Sequence, residues 1–214
     1  MIAVIKGDII KSRQFVNQEK WLKPLKNLFN SWGEYPKDWK LDWGDFFQVE
    51  IKNPEDALKK AFQIKALIKK VTPIEKGKKM STIDVRMAIG IGEKTYSGEA
   101  ISESNGPAFI FAGEKFDLLK KENVTIGIKS AWPSFDEEIN LCLKLATVFM
   151  DKWSASSAEL VEIVLKNPTI TQEEIGKQIG IKQNSVSGRW HRSQIDKLLE
   201  VENIYRKKIN CLLK

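Results

Sequence analysis

Apolar and polar residues follow two rhythms along this chain, and the change from one to the other marks its organisation. Ile2 to Lys6 is a short run of branched apolar residues, which predicts a buried central strand closed by Gly7-Asp8. From Asn17 to Trp32 the spacing becomes helical, with Trp21, Leu25, Leu28, Phe29 and Trp32 along one face. LDWGDFFQVEI reads as two short strands around a Gly44-Asp45 turn, and Pro54 opens a helix whose apolar period runs from Ala57 to Val71. After a lysine-rich loop at Glu75 to Lys79, the alternation of Val85, Met87, Ile89 and Ile91 predicts a strong strand. A loop covers Glu93 to Asn105, Gly106-Pro107 starts a helix over Ala108 to Lys121, and Val124 to Lys129 is a further strand. Asp136 to Lys152 is a long amphipathic helix and Ser154 to Ser157 a short joint. Beyond it, three helices and a basic tail are expected.

The order β-α-β-β-α-β-α-β followed by helices alone predicts an α+β chain. Its first unit, residues 1–152, is expected to be a ferredoxin-like βαββαβ sandwich with additions, and its second, residues 153–214, a helix-turn-helix domain. The stretch Thr169 to Glu200 carries the second expectation. Thr171 can cap a helix and Glu174 stands three residues on, where a capping box needs it. Ile175 and Ile179 share one face, Gly176 lies where two helices would cross closely, and Gly180 sits where a turn wants positive φ. Val186 and Trp190 continue the apolar face of a second helix. Lys182, Gln183, Asn184, Ser185, Ser187, Arg189 and Arg192 are left pointing away from the core, as candidate DNA-binding residues.

Charge strengthens that reading. The 214 residues carry a formal net charge of +7, and Lys182 to Lys214 hold eight Lys/Arg against three Asp/Glu. An anionic partner such as double-stranded DNA fits this distribution. Gln183 and Asn184 can pair with adenine and Arg189 with guanine; Lys182, Arg192 and Arg206-Lys207-Lys208 suit phosphates. Cys142 and Cys211 lack metal-ligand spacing and read as free buried thiols. The single histidine, His191, offers little material for a metal site or a Ser-His-Asp triad. With no apolar run near the length of a membrane span and no signal-peptide pattern at the N-terminus, a cytoplasmic protein without membrane partners is expected.

Two aspartates stand out in the first unit. Asp8 follows the first strand and Asp45 tips the hairpin. If the hairpin's first strand lies beside a central β1, the two carboxylates emerge near one edge and are candidate ligands for Mg²⁺ or Mn²⁺ with a nucleotide. Equally, Asp8 can cap a turn and Gly44-Asp45 can be an ordinary hairpin turn. Gly90 and Gly92 suit close packing or a bulge at a strand end.

IKGDIIKSR, LDWGDFFQV and VRMAIGIG with the later GPAFIFAG resemble the first-strand aspartate motif, the Gly-Asp hairpin and the following strand and helix of class III nucleotidyl cyclases, over roughly the first 130 residues. The resemblance implies a metal- and nucleotide-binding fold with Asp8 and Asp45 as metal ligands. It departs from the active family at AFIFAGEKF, where Ile110 falls at the expected asparagine and Glu114 or Lys115 at the expected arginine, and Lys40 stands one residue out of step with the base-selecting lysine. TQEEIG and KQNSVSGR are similar to the recognition unit of sigma-factor region 4. The GDII-type start combined with this C-terminal segment resembles the SatD-type family of bacterial proteins. Two functions are therefore expected in competition. One is a homodimeric DNA-binding transcriptional regulator whose first unit serves dimerisation or nucleotide and metal sensing. The other is a metal-dependent nucleotidyl cyclase or related phosphoryl-transfer enzyme regulated by its helical end.

Overall fold

A computed structural model describes residues 1–14, 17–42, 44–71, 74–75, 78–79 and 83–214. The chain is α+β. In order, the elements are β1 (Ile2–Ile10), α1 (Glu19–Asn30), β2 (Trp39–Asp42), β3 (Phe46–Ile51), α2 (Ala57–Lys70), β4 (Ile74–Glu75), β5 (Lys78–Lys79), β6 (Asp84–Gly92), α3 (Pro107–Glu122), β7 (Ile126–Lys129), α4 (Pro133–Met150), α5 (Ala155–Lys166), α6 (Gln172–Ile179), α7 (Gln183–Ser193) and α8 (Ile195–Leu212).

Five strands form one sheet in the order β2-β3-β1-β6-β7. β1 is flanked by antiparallel β3 and β6, and β7 runs parallel to β6. The strand beside β1 is thus the second strand of the hairpin, not the first. β3 pairs antiparallel with both β1 and β2, which leaves β2 at the edge of the sheet. β1 also continues through Gly7-Asp8 to Ile10, because paired strands on both sides satisfy its backbone. Asp8 therefore lies inside the strand.

β1 alternates sides in the expected way. Ala3, Ile5 and Ile9 face a core shared with Trp21, Leu25 and Phe29 of α1 and with Phe62 of α2. Val4, on the other face, meets Ala108 and Ala112 of α3. That contact depends on Gly90, where a Cβ would lie 2.1 Å from the Ala108 carbonyl oxygen, so close packing is the role this glycine fills.

The C-terminal part departs from the expected joint and tail. Ser154 is an N-cap whose hydroxyl accepts from Ser157 N, and Ala155–Ser157 form the first turn of α5, not a linker. α4 begins at Pro133, three residues before Asp136. The basic tail is a regular helix, α8, because Ile195, Leu198, Tyr205 and Ile209 give it a buried stripe. Cys142 is half-buried and Cys211 exposed, so neither is the core thiol expected. Of the lysine-rich loop, Glu75, Lys78 and Lys79 lie in a short antiparallel pair, while Lys76 and Gly77 fall outside the described residues.

The two parts share one continuous apolar core, in which Ile5 and Val85 belong to the same cluster as Val164, Val186 and Tyr205. Polar ties cross the same boundary. The Tyr205 hydroxyl donates to the Pro54 carbonyl at 2.5 Å and Arg206 donates to Asp56 at 3.0 Å; within the helical part itself, the Trp153 indole donates to the Ser193 carbonyl at 2.9 Å. No helix among the described residues is long and apolar enough to cross a membrane.

Candidate nucleic-acid interface

α6 begins as its sequence dictates. The Thr171 hydroxyl accepts from Glu174 N at 3.2 Å, and the Glu174 carboxylate accepts from Thr171 N at 2.8 Å. This capping box satisfies two donors that would otherwise be orphaned at the helix start. The helix ends at Gly180, whose φ of +69° glycine adopts without a Cβ penalty. Ile181 N then donates back to Gly176 O at 3.0 Å. A Cβ on Gly176 would stand 2.8 Å from the Ile181 carbonyl oxygen and 3.5 Å from a Val186 methyl. Gly176 therefore allows α6 and the start of α7 to approach closely, with Ile175 and Val186 fully buried between them.

This anchoring sorts the residues of α7. With Val186 inward, Lys182, Gln183, Asn184, Ser185 and Ser187 are all exposed at its N-terminal half, and His191 and Arg192 are exposed near its end. Trp190 is half-buried against the core, and its indole nitrogen donates to Asp196 at 2.9 Å. Arg189 differs from the expected guanine reader. Its guanidinium turns inward to α5 and pairs with Glu159 at 2.7 Å. A side chain three residues from Val186 lies close enough to the anchored face to reach the neighbouring helix.

The basic cluster of α8 is also largely spent within the chain. Arg206 pairs with Asp56 at 3.0 Å and Glu202 at 2.8 Å, and Lys208 pairs with Glu138 at 2.5 Å. The pairs with Asp56 and Glu138 dock α8 on the first unit, so Arg206 and Lys208 are not free phosphate contacts. Lys207 remains exposed. Lys182 and Arg192 are thus the exposed cations at α7, beside Lys197 and Lys207 on α8, while α1 exposes Lys20, Lys23 and Lys26.

At the other candidate site, Asp8 and Asp45 do reach neighbouring strand positions. Asp8 is registered opposite Phe46, and Ile9 N donates to Asp45 O at 3.0 Å. Their carboxylates have different partners. Arg86 grips Asp8 with both arms, Nε to Oδ1 at 3.0 Å and one terminal nitrogen to Oδ2 at 2.7 Å, while Ser12 donates to Asp45 at 2.7 Å. A bidentate guanidinium balances the charge that a divalent cation would need. Among the described residues no three His, Cys, Asp or Glu side chains gather as a metal site. As arranged, these residues do not fit a metal ion.

Sequence reasoning missed Arg86. The usable signal was the alternation of VRMAIG, which places Arg86 on the face opposite Val85 and Met87, and the antiparallel β1–β6 register then sets it across from Asp8. It also missed the buried lysines of α2. Lys65 pairs with Asp84 at 2.8 Å and Asp151 at 2.7 Å, and Lys69 with Asp84 at 3.3 Å. Burial pushes the Lys69 pKa down more than the neighbouring Asp84 carboxylate raises it.

A family model, that of the SatD family, matches residues 1–208. The chain belongs to the SatD family. The match spans both the sheet and the helical end. No curated protein matches the chain.

Proposed function

We propose that this SatD-family chain is a DNA-binding transcriptional regulator. In this reading α6 and α7 are a helix-turn-helix resembling that of sigma-factor region 4, and the sheet is a ferredoxin-like, nucleotidyl cyclase-like scaffold that serves dimerisation. One observation carries the proposal: Lys182, Gln183, Asn184, Ser185 and Ser187 are exposed together on the leading end of a helix that Val186 anchors from behind. A recognition helix meets base edges with its N-terminal residues. Gln183 and Asn184 carry the paired donor and acceptor that match adenine, while Lys182, Ser185, Ser187 and Arg192 supply phosphate contacts. Arg189 supports the helix through Glu159 instead of reading a base.

The enzyme reading loses its footing where Arg86 holds Asp8, since phosphoryl transfer of the cyclase kind needs that carboxylate for metal. The regulator reading is tested by selecting binding sites from random duplex DNA with the full chain and sequencing them. A shared motif is expected, and Gln183→Ala with Asn184→Ala should blur it while leaving the circular dichroism unchanged. Selection of no motif by the wild type, or the same motif by the double variant, rejects the assignment.

A further inference from the structure

α4 presents a second apolar stripe on the side opposite its core contacts. Ile139, Leu143, Ala146 and Met150 are buried in the core, whereas Leu141, Leu145 and Val148 are 60%, 64% and 61% exposed. The three recur at helical spacing and form one outward ridge. Large apolar side chains scattered singly on a surface need no explanation, but a ridge along one helix does.

The charges at the two ends of this ridge indicate what covers it. Glu137 lies one turn before Leu141, and Lys152 one turn after Val148, where the chain still makes helix-like backbone bonds from Asp151 and Lys152 to Thr147 and Phe149. Glu137, Lys144 and Lys152 are exposed, and no ion-pair partner within the described residues reaches them. Other charges nearby are engaged inside the chain, Glu138 with Lys208 and Asp151 with Lys65. One end of the ridge thus carries an unpaired carboxylate and the other an unpaired ammonium.

We infer that α4 docks on α4 of a second copy of this chain, antiparallel across a two-fold axis. A self-complementary surface of this kind requires residue i to meet j while j meets i. With the axis between Lys144 and Leu145, Leu141 meets Val148 of the second copy, and Glu137 meets its Lys152 at both ends. The two Leu145 side chains then pack beside the axis. The Lys144 stems lie on the flank of the ridge, where their ammonium groups extend to water. A parallel pairing would instead set Glu137 against Glu137 and Lys152 against Lys152. The inference rests on the dimerisation part of the proposed function and not on its DNA part, and its test contains no DNA.

The experiment is sedimentation equilibrium of the full chain across a concentration series, with circular dichroism of each variant as the check on folding. A concentration-dependent dimer is expected. Leu145→Glu should weaken it about thirtyfold or more, the scale of losing a central apolar anchor. Glu137→Lys and Lys152→Glu should each weaken the dimer, and combining them in one chain should restore it, because each two-fold pair is then reversed but still opposite in sign. A monomer at every concentration overturns the inference. So does a dimer indifferent to Leu145→Glu, or a charge-reversed double variant no better than its singles.

Discussion

Lys65→Met tests the polar junction that ties the sheet to the helices leading into the C-terminal part. Lys65 is fully buried in α2, and its ammonium donates to Asp84 at 2.8 Å, Asp151 at 2.7 Å and the Thr125 hydroxyl at 3.1 Å. Methionine keeps most of the stem and removes the charge. Removing one partner of a buried ion pair costs about 3–5 kcal/mol, because the other charge is left without compensation. Here the orphaned groups are partly supported. Asp84 retains Lys69 at 3.3 Å and its hydrogen bond from Val85 N at 2.8 Å, and Asp151 retains the Thr125 hydroxyl at 2.8 Å. Asp151 is also partly open to water, which softens its loss. The lower end of the range applies, about 3 kcal/mol, which for a chain of this size lowers Tm by about 6–12 °C. Urea unfolding of Lys65→Met, Asp84→Asn and the double variant measures it, and the double should lose less than the sum of the singles. A loss under about 0.5 kcal/mol, the scale of an ordinary surface change, or strict additivity of the two substitutions, refutes the reasoning.

Two further predictions follow from the packing of the C-terminal helices. Gly176→Ala gains about 1 kcal/mol of helix propensity, but its Cβ would press on the Ile181 carbonyl oxygen 2.8 Å away. Overpacking against backbone costs about 1–3 kcal/mol, so a net loss is expected in thermal unfolding, together with weaker DNA binding; a stabilised variant would contradict the close crossing. Glu162 is governed by opposing effects: burial alone raises its pKa, but hydrogen bonds from Lys166 and Lys70 outweigh that and hold its carboxyl below the ordinary value. Its contribution is therefore present above the unfolded-state pKa and lost as pH falls through the lower folded-state pKa. Unfolding midpoints measured across the acid range should fall less steeply in Glu162→Gln than in the wild type, and identical slopes would show that the group carries no linkage.

The elements legible in the sequence were those whose signals are local. The Thr171–Glu174 capping box, the Gly180 turn and the apolar spacing of Ile175 and Val186 each act within one or two turns, and the structure places them as their chemistry requires. The alternation of Val85, Met87, Ile89 and Ile91 likewise identified β6. What escaped depended on pairing across the fold. Arg86 meets Asp8 only because of the β1–β6 register, and Arg189 meets Glu159 only because α5 lies beside α7. α8 was obscured for a different reason. Its basic residues drew attention to charge, while the stripe of Leu198, Tyr205 and Ile209 that makes it a docking helix is interrupted by polar positions at every turn. The lysines of α2 carried a usable sign, since Lys65 and Lys69 are one turn apart among Ile64, Ala66 and Ile68 in a helix buried on almost every side.

The central claim is that α7 enters a DNA groove, and the salt dependence of duplex binding tests it most directly. Fluorescence anisotropy with a selected duplex gives the slope of log affinity against log salt, and each lost phosphate contact should reduce that slope by about 0.9. Lys182→Ala and Arg192→Ala should each reduce it by about one such step, whereas Arg206→Ala, whose guanidinium is committed to Asp56 and Glu202, should leave it unchanged. No binding at the lowest salt, or slopes for the Lys182 and Arg192 variants that equal the wild type, would contradict the account.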